Sequence, residues 1–456
     1  MRLMTTTSAV RTILSPMLLC ALVGIAASAR AQGTAPLALT LTQAIDLALK
    51  QNRDLKLAQL AVADSEHKKE IARSDYFPHI KNESSLLHIT DLAGVKIPAG
   101  AFGVPTATGP IPAKNLFLDQ GALTSYTSGT GLAQPLTQMF KIRESNRAAT
   151  ADVNSAKIQV NQTENEVALQ VRQLYDGILI AQLKQQAAAE EVSASRVKVQ
   201  ESADAVEKGS ALEVLALESH ASLLDAEEAA LTQRLQLHDL TITLNDLLGL
   251  PLATELQLDP DTATISIPTR EEGLRIAREH SPEIRAADQA VVKAKAGLAA
   301  AKDAYIPDVS GLARYSYQDG VPLLVHNFGT FGVSLSYELF DGGRRVAEIK
   351  DSRTLVSQAE LNRAKVEDEV AVQVEKAYDK VEQLHDVVGV AEEALKVRTE
   401  ATRLSDRRFE QTAALASARA EAHAKSIAAQ ATLIQARLDL SLAQGALIET
   451  IGELPR

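Results

Sequence analysis

Nine histidines, one cysteine and 58 carboxylates are the residues with which this chain could do chemistry, and their spacing supports no catalysis. No His-Glu-x-x-His run or comparable pairing is present to hold a metal. A Gly-x-Ser-x-Gly elbow and a phosphate-binding loop are also missing. The carboxylates are spread along stretches of helical periodicity, as on solvated helix faces. The expectation is a protein with no catalytic residue, no cofactor and no metal site. What remains is the chemistry of surfaces: which residues meet water, lipid or other chains.

Residues 1–31 read as a secretory leader, with Arg2 and Arg11 before an apolar run and Ala29-Arg30-Ala31 as the cleavage site. Cys20 follows Leu19, where a lipoprotein signal would need a small residue, so acylation is not expected. Cleavage leaves no cysteine, which suits a Gram-negative envelope better than a disulfide-stapled secreted domain. It also leaves 44 basic against 58 acidic residues, a net charge of −14. With no basic patch, nucleic acid is excluded as a partner. No later segment is long and apolar enough for a membrane helix, so any membrane contact must be made with strands.

Two stretches have the alternation of such strands. In 331–339, Phe331, Val333, Leu335, Tyr337 and Leu339 alternate with Gly332, Ser334, Ser336 and Glu338, and this strand is expected to hand directly into a long helix. In 309–317, Val309, Ala313, Tyr315 and Tyr317 alternate with Ser310, Arg314 and Ser316. Segments 80–88 and 126–136 are weaker versions, with Asn82, Ser84 and Gln134 on the side expected to be apolar. Such aromatic, alternating segments suit a lipid-facing barrel. Four strands have two open edges, which lipid does not tolerate. Closure therefore calls for several chains, and three would supply twelve strands.

The chain is also written twice. Residues 41–78 align with 270–307 at an offset of 229, pairing Ala48 with Ala277, Tyr76 with Tyr305 and Pro78 with Pro307. From Leu136 the offset is 203, pairing Val171 with Val374, Tyr175 with Tyr378 and Gly249 with Gly452. The 26-residue difference falls in a Gly- and Pro-rich loop before Leu136. Both copies open with an expected capping box, Thr40 with Gln43 and Thr269 with Glu272. The domain reading is a leader at 1–31, a first repeat at 32–267 and a second at 268–456. Each repeat reads helix, strand, loop, strand and a very long helical hairpin.

Proline is absent from 136–250 and 323–454. There Val153, Val160, Val167, Leu174, Ala181 and Ala188 recur every seven residues, interleaved with Val171, Ile178, Val192, Val199 and Val206. The second copy repeats both rows from Val356 to Leu395, so these are coiled-coil seams. A helix over 137–208 spans roughly 110 Å at 1.5 Å per residue, and four such arms are expected. The fold class is mainly α with a small β-barrel: a long antiparallel helical tube, four strands per chain and internal duplication. On the helices alone, a structural coiled-coil protein of the cell envelope is the alternative.

With the duplication go the Tyr-x-Pro steps at Tyr76 and Tyr305, the run Ser334-Leu-Ser-Tyr-Glu-Leu-Phe-Asp-Gly-Gly-Arg344, and the closings Leu-Leu-Gly-Leu-Pro251 and Ile-Gly-Glu-Leu-Pro455. In that order they resemble the TolC-type outer-membrane efflux family over residues 40–455. The resemblance implies a homotrimer with an outer-membrane barrel and a long periplasmic tube. It implies a passive conduit for small molecules or other cargo, coupled to a periplasmic adaptor and an inner-membrane transporter. The adaptor is expected at the hairpin turns, Gly209-Ser210-Ala211-Leu212 and Thr412-Ala413-Ala414-Leu415. Val206 replaces the family's aromatic residue in the first turn, and Thr412 replaces its glycine in the second. The pore constriction is expected at Glu218, Ala418 and Glu421, with Ala418 lacking one charge of the family's acidic pair.

Overall fold

A computed structural model describes residues 37–91, 94–118, 122–259, 266–320, 325–411 and 415–452. The expected leader, with Cys20, lies outside the described residues. So do Thr412, Ala413 and Ala414 of the second turn and the closing Pro455.

The first half of the chain runs β1 (Leu37–Leu39), α1 (Leu41–Gln51), α2 (Arg53–Ser74), β2 (His79–His88), β3 (Val95–Ile97), β4 (Leu116–Leu118), β5 (Thr124–Pro135), α3 (Met139–Glu207) and α4 (Glu213–Leu247). After β6 (Leu256–Leu258), which closes the first half, the second runs α5 (Arg270–His280), α6 (Pro282–Asp303), β7 (Asp308–Asp319), β8 (Asn327–Ser336), α7 (Arg344–Glu410) and α8 (Ala416–Thr450). The order helix, helix, strand, strand, long helix, shorter helix thus occurs twice. The four long strands form one antiparallel sheet in the order β2-β5-β7-β8. Two small ribbons are separate from it, β1-β6 parallel and β3-β4 antiparallel. These three-residue strands are too short to carry an alternation pattern, so periodicity does not reveal them.

The expectation of four equal arms is wrong. α3 and α7 hold 69 and 67 residues, each about 100 Å long, but α4 and α8 hold only 35 each. Each returning helix covers half of its long partner. α2 packs along the other half of α3, and α6 along that of α7. α6 and α8 also pack on α3, which joins the two halves. A chain that must come back to the middle of the tube has no use for a longer return.

The apolar core lies where these half-length helices meet. One cluster gathers Leu41, Ala44, Val167, Val171, Ile178, Leu244 and Leu248 around Tyr175, and a second gathers Ala277, Ile284, Val370, Val374, Leu447 and Ile451 around Tyr378. Tyr175 Oη shares its hydrogen between the carbonyls of Asp259 and Leu39, at 2.6 and 2.9 Å. Tyr378 Oη does the same at 3.0 Å to Pro268 and Thr269. Each tyrosine therefore ties the segment entering the α1 or α5 end to its long helix.

The first capping box is complete: Gln43 N–H donates to Thr40 Oγ1 at 3.3 Å, and Thr40 N–H donates to Gln43 Oε1 at 3.1 Å. The second is half made. Thr269 Oγ1 accepts from Glu272 N–H, but the Glu272 carboxylate turns to Arg275 at 2.6 Å, the stronger charge-assisted partner.

The direct handover from strand to helix is also corrected. β8 starts at Asn327, stops at Ser336, and is joined to α7 through residues 337–343. Asp341 accounts for the break. Its carboxylate accepts from Gly343 N–H at 2.9 Å, Arg345 N–H at 3.1 Å and Arg345 Nε–H at 2.7 Å. The Arg345 side chain first, then these backbone donors, holds the Asp341 carboxyl down at about 2. The guanidinium lies over the rings of Tyr305 and Tyr337, 5.3 and 5.1 Å from their centroids. Tyr337 leaves the ladder to make this stack.

Tyr175→Phe keeps the packing and removes the hydroxyl that serves two carbonyls. The expected cost is about 1–2 kcal/mol, read as a lower thermal midpoint by circular dichroism, with Tyr378→Phe behaving alike. An unchanged midpoint in both would mean that these hydroxyls do not tie the entering segments to the tube.

Candidate functional site

Two regions bear on function: the faces of the sheet and the far ends of the helical hairpins. Register decides the faces. β2 pairs with β5, β5 with β7 and β7 with β8, so Leu132, Ala313 and Phe331 stand in one row and Gly131, Arg314 and Thr330 in the next. Side chains alternate between faces along each strand. One face carries Val309, Ala313, Tyr315, Tyr317, Phe331, Val333 and Leu335; Phe331 is 91% exposed and Val333 71%. Apolar exposure on this scale marks a surface that meets lipid or protein.

Toward β2 the same face carries Asn82, Ser84, Ser128 and Thr130. They satisfy one another: Asn82 Nδ2 donates to Thr130 Oγ1, Ser84 Oγ donates to Asn82 Oδ1, and Ser84 and Ser128 share a hydrogen, each at 2.9 Å. The polar residues that weaken the sequence pattern are thus paired across β2 and β5, which lowers the penalty of an apolar setting.

The opposite face is polar and hollow, with a cavity of about 750 Å³ lined by His79, Lys81, Glu83 and Arg314 among others. Arg314 lies flat across β5 to reach Glu83 at 3.4 Å. It can do so because residue 129 is glycine; a Cβ there would stand 2.4 Å from Arg314 Nη2.

At the far end of the first hairpin, the turn closes at Gly209 with φ +69°, a left-handed conformation that glycine adopts without strain. Ser210 N–H and Oγ–H both donate to Ala205 O at 2.9 Å. Leu212, which opens α4, is 79% exposed, and Leu415, which opens α8, is 65% exposed. Of the residues expected at the tips, Gly209, Ser210, Ala211, Leu212 and Leu415 are at hairpin ends, while Thr412, Ala413 and Ala414 lie outside the described residues.

Glu218, Ala418 and Glu421 are exposed a few residues behind the turns. α4 forms its hairpin with α3 and α8 with α7, so Glu218 and Glu421 stand on different hairpins of one chain. Glu421 is met by Lys425 one turn along, whose hydrogen bond draws its carboxyl below the usual range.

Sequence reasoning missed the groups that hold the tips together. Asp406 on α7 accepts from Arg419 at 2.7 Å and contacts His423 at 3.0 Å, both on α8. The His423 hydrogen bond first, then that of Arg419, lowers the Asp406 carboxyl below its ordinary 3.8. Arg419 also lies over the Phe409 ring at 5.1 Å. Between hairpins, Glu201 on α3 accepts from Ser417 N–H at 3.1 Å and so caps α8, which has no capping side chain of its own. The four-residue spacing of Arg419 and His423 was a visible signal; the positions of Asp406 and Glu201 needed the hairpins to be folded.

A sheet with one exposed apolar face, continuous with helices of about 100 Å, defines a membrane-seated tubular protein. Among the described residues no helix is long and apolar enough to cross a membrane. The chain belongs to the outer membrane efflux protein family, whose model matches residues 44–250 and 273–453, and its place is the outer membrane. That family consists of efflux proteins, not enzymes. Outer membrane efflux protein BepC of Brucella suis biovar 1 is 28% identical over 158 residues, a match spanning 35% of either chain. The Campylobacter jejuni CmeC outer membrane channel superposes with a TM-score of 0.72 at 15% identity, over 90% of this chain and 85% of that one. The outer membrane protein VceC of Vibrio cholerae gives 0.70 at 16% identity, over 91% and 97%. At these identities the structures share the fold.

Because the folded Asp406 carboxyl is below its unfolded value, its contribution is complete above about pH 4 and fades as pH falls through the lowered value. Asp406→Asn should therefore melt below the wild type at pH 7. The gap between the two midpoints should narrow as pH is taken from 4 to 2.5. A gap that is constant with pH would remove Asp406 from the account of the tips.

Proposed function

We propose that the protein is the outer-membrane duct of a tripartite export system, assembled as a homotrimer whose three sheets close one twelve-stranded barrel. The observation that carries this reading is the sheet itself. Its apolar face is exposed, and the outer edges of β2 and β8 are unpaired among the described residues. Open edges in hydrocarbon leave backbone groups unsatisfied at several kcal/mol each, and pairing β8 of one copy with β2 of the next removes them. The polar face of each sheet then lines the barrel. Two repeats, 32–267 and 268–456, contribute two strands each.

In this reading the helices form a periplasmic tube that passes cargo without chemistry. The turn from Gly209 to Leu212, at the end of its hairpin away from the sheet, and the segment Thr412 to Leu415 of the second hairpin dock a periplasmic adaptor, which links the tube to an inner-membrane transporter. Three copies of Glu218 and Glu421 ring the entrance beside Ala418, with Lys425 moderating the charge of Glu421. The loop of 91–125, which holds the β3-β4 ribbon, is extracellular. A coiled-coil envelope protein would share the helices but has no use for the sheet.

Light scattering of the protein in mild detergent should return three copies per particle; a monomer overturns the closed barrel. Lys96 and Lys114 should react with an impermeant amine reagent on whole cells, and protection there would reverse the orientation. Gly209→Arg should abolish export while the trimer still reaches the outer membrane. Normal export by that variant would place the docking surface elsewhere on the tube.

A further inference from the structure

Beside the second core cluster, α3, the α5–α6 junction, α7 and α8 border an open polar hollow of about 220 Å³. Glu166, Glu283 and Glu449 line it, and no lysine or arginine does. Glu449 is half-buried and the other two are exposed. Burial first, then the charges of Glu166 and Glu283, pushes the Glu449 carboxyl up; burial and then Glu369 do the same to Glu283. Glu369, outside the hollow, has its own partner in Lys365 at 3.4 Å.

Acidic side chains alone make no site, but two further groups line this hollow. Asn165 is only 7% exposed, and its amide makes no hydrogen bond among the described residues. The amide faces the hollow, where only solvent or a bound group can partner it. Ser281 is 1% exposed and stands at the N-terminus of α6, yet its hydroxyl does not cap that helix. At the corresponding position of the first half, Asn52 does cap α2, accepting from Leu55 N–H at 3.0 Å. The second half has given up a cap and turned the position toward the hollow.

We propose that this hollow binds a hydrated divalent cation. The charge of the lining selects a cation. Among the described residues no three acidic or imidazole side chains are close enough to grip an ion directly, so the ion keeps its water. Mg²⁺ does so readily, and the hollow has room for an ion with its shell of water. The waters donate to the three carboxylates, the Asn165 amide oxygen, the Ser281 hydroxyl and the Gln373 amide. The ion would hold α3 against α6, α7 and α8, joining the two halves where they touch. This site lies away from the tips and the sheet and does not depend on the conduit reading.

The test is the thermal midpoint of the purified full-length protein in detergent as MgCl₂ replaces NaCl at constant ionic strength. The wild type should show a saturable rise on the order of 3 °C. The double variant Glu166→Gln with Glu449→Gln should melt at or above the wild type without Mg²⁺, because like charges are removed. It should need at least tenfold more Mg²⁺ for any rise. No saturable response in the wild type, or an undiminished one in the double variant, overturns the site.

Discussion

A β-strand edge presents a row of N–H and C=O groups, and in hydrocarbon no water is present to meet them. This demand shapes more of the molecule than any side-chain contact does. The four-stranded sheet satisfies its interior strands fully and leaves β2 and β8 open. The proposed pairing of β8 of one copy with β2 of the next would close those edges. The rest of the structure serves to hold the sheet in register and to carry its polar face onward as the wall of a tube.

The helices meet that task with little burial per residue. Their seams hold valine and alanine, which permit close approach but remove modest area from water. Apolar packing concentrates instead where the short returning helices end and α1 and α5 begin, around Tyr175 and Tyr378. Beyond that level a smaller apolar cluster of Ala391, Leu433 and Ala436 is joined by ion pairs and hydroxyl-to-backbone bonds, such as Asp406 with Arg419 and Thr402 with the carbonyl of Ala422. Apolar burial is thus greatest in the middle of the helices, and local opening is easiest where buried apolar contacts are few.

The two halves share a plan but differ in detail where charge has been redistributed. One capping box is intact and the other has lost its glutamate to Arg275. One helix break is capped by Asn52, while at the other Ser281 faces an acidic hollow. At the sheet, the second half makes its exit through Asp341 and Arg345. The first half leaves β5 through Thr137, which donates to Pro307 O at 2.6 Å and accepts from Val309 N–H at 2.8 Å. The halves interlock there through backbone groups that neither supplies for itself.

Local and periodic features were legible in the residues alone. Alternation marked the sheet strands, heptads marked the seams with Val171, Val374 and their neighbours, and Gly209 marked a turn, because each depends on contacts within a few residues or on a repeat. The self-alignment pairs Tyr175 with Tyr378 from the residues alone. What the tertiary structure decided is everything set by groups distant in the chain. It shows that α4 and α8 return only halfway, that Asn82 and Thr130 satisfy one another across strands, and that Glu201 caps a helix from the other hairpin. It also shows that Arg314 reaches Glu83 over Gly129. These depend on register and on which helix lies beside which, and no local pattern carries that information.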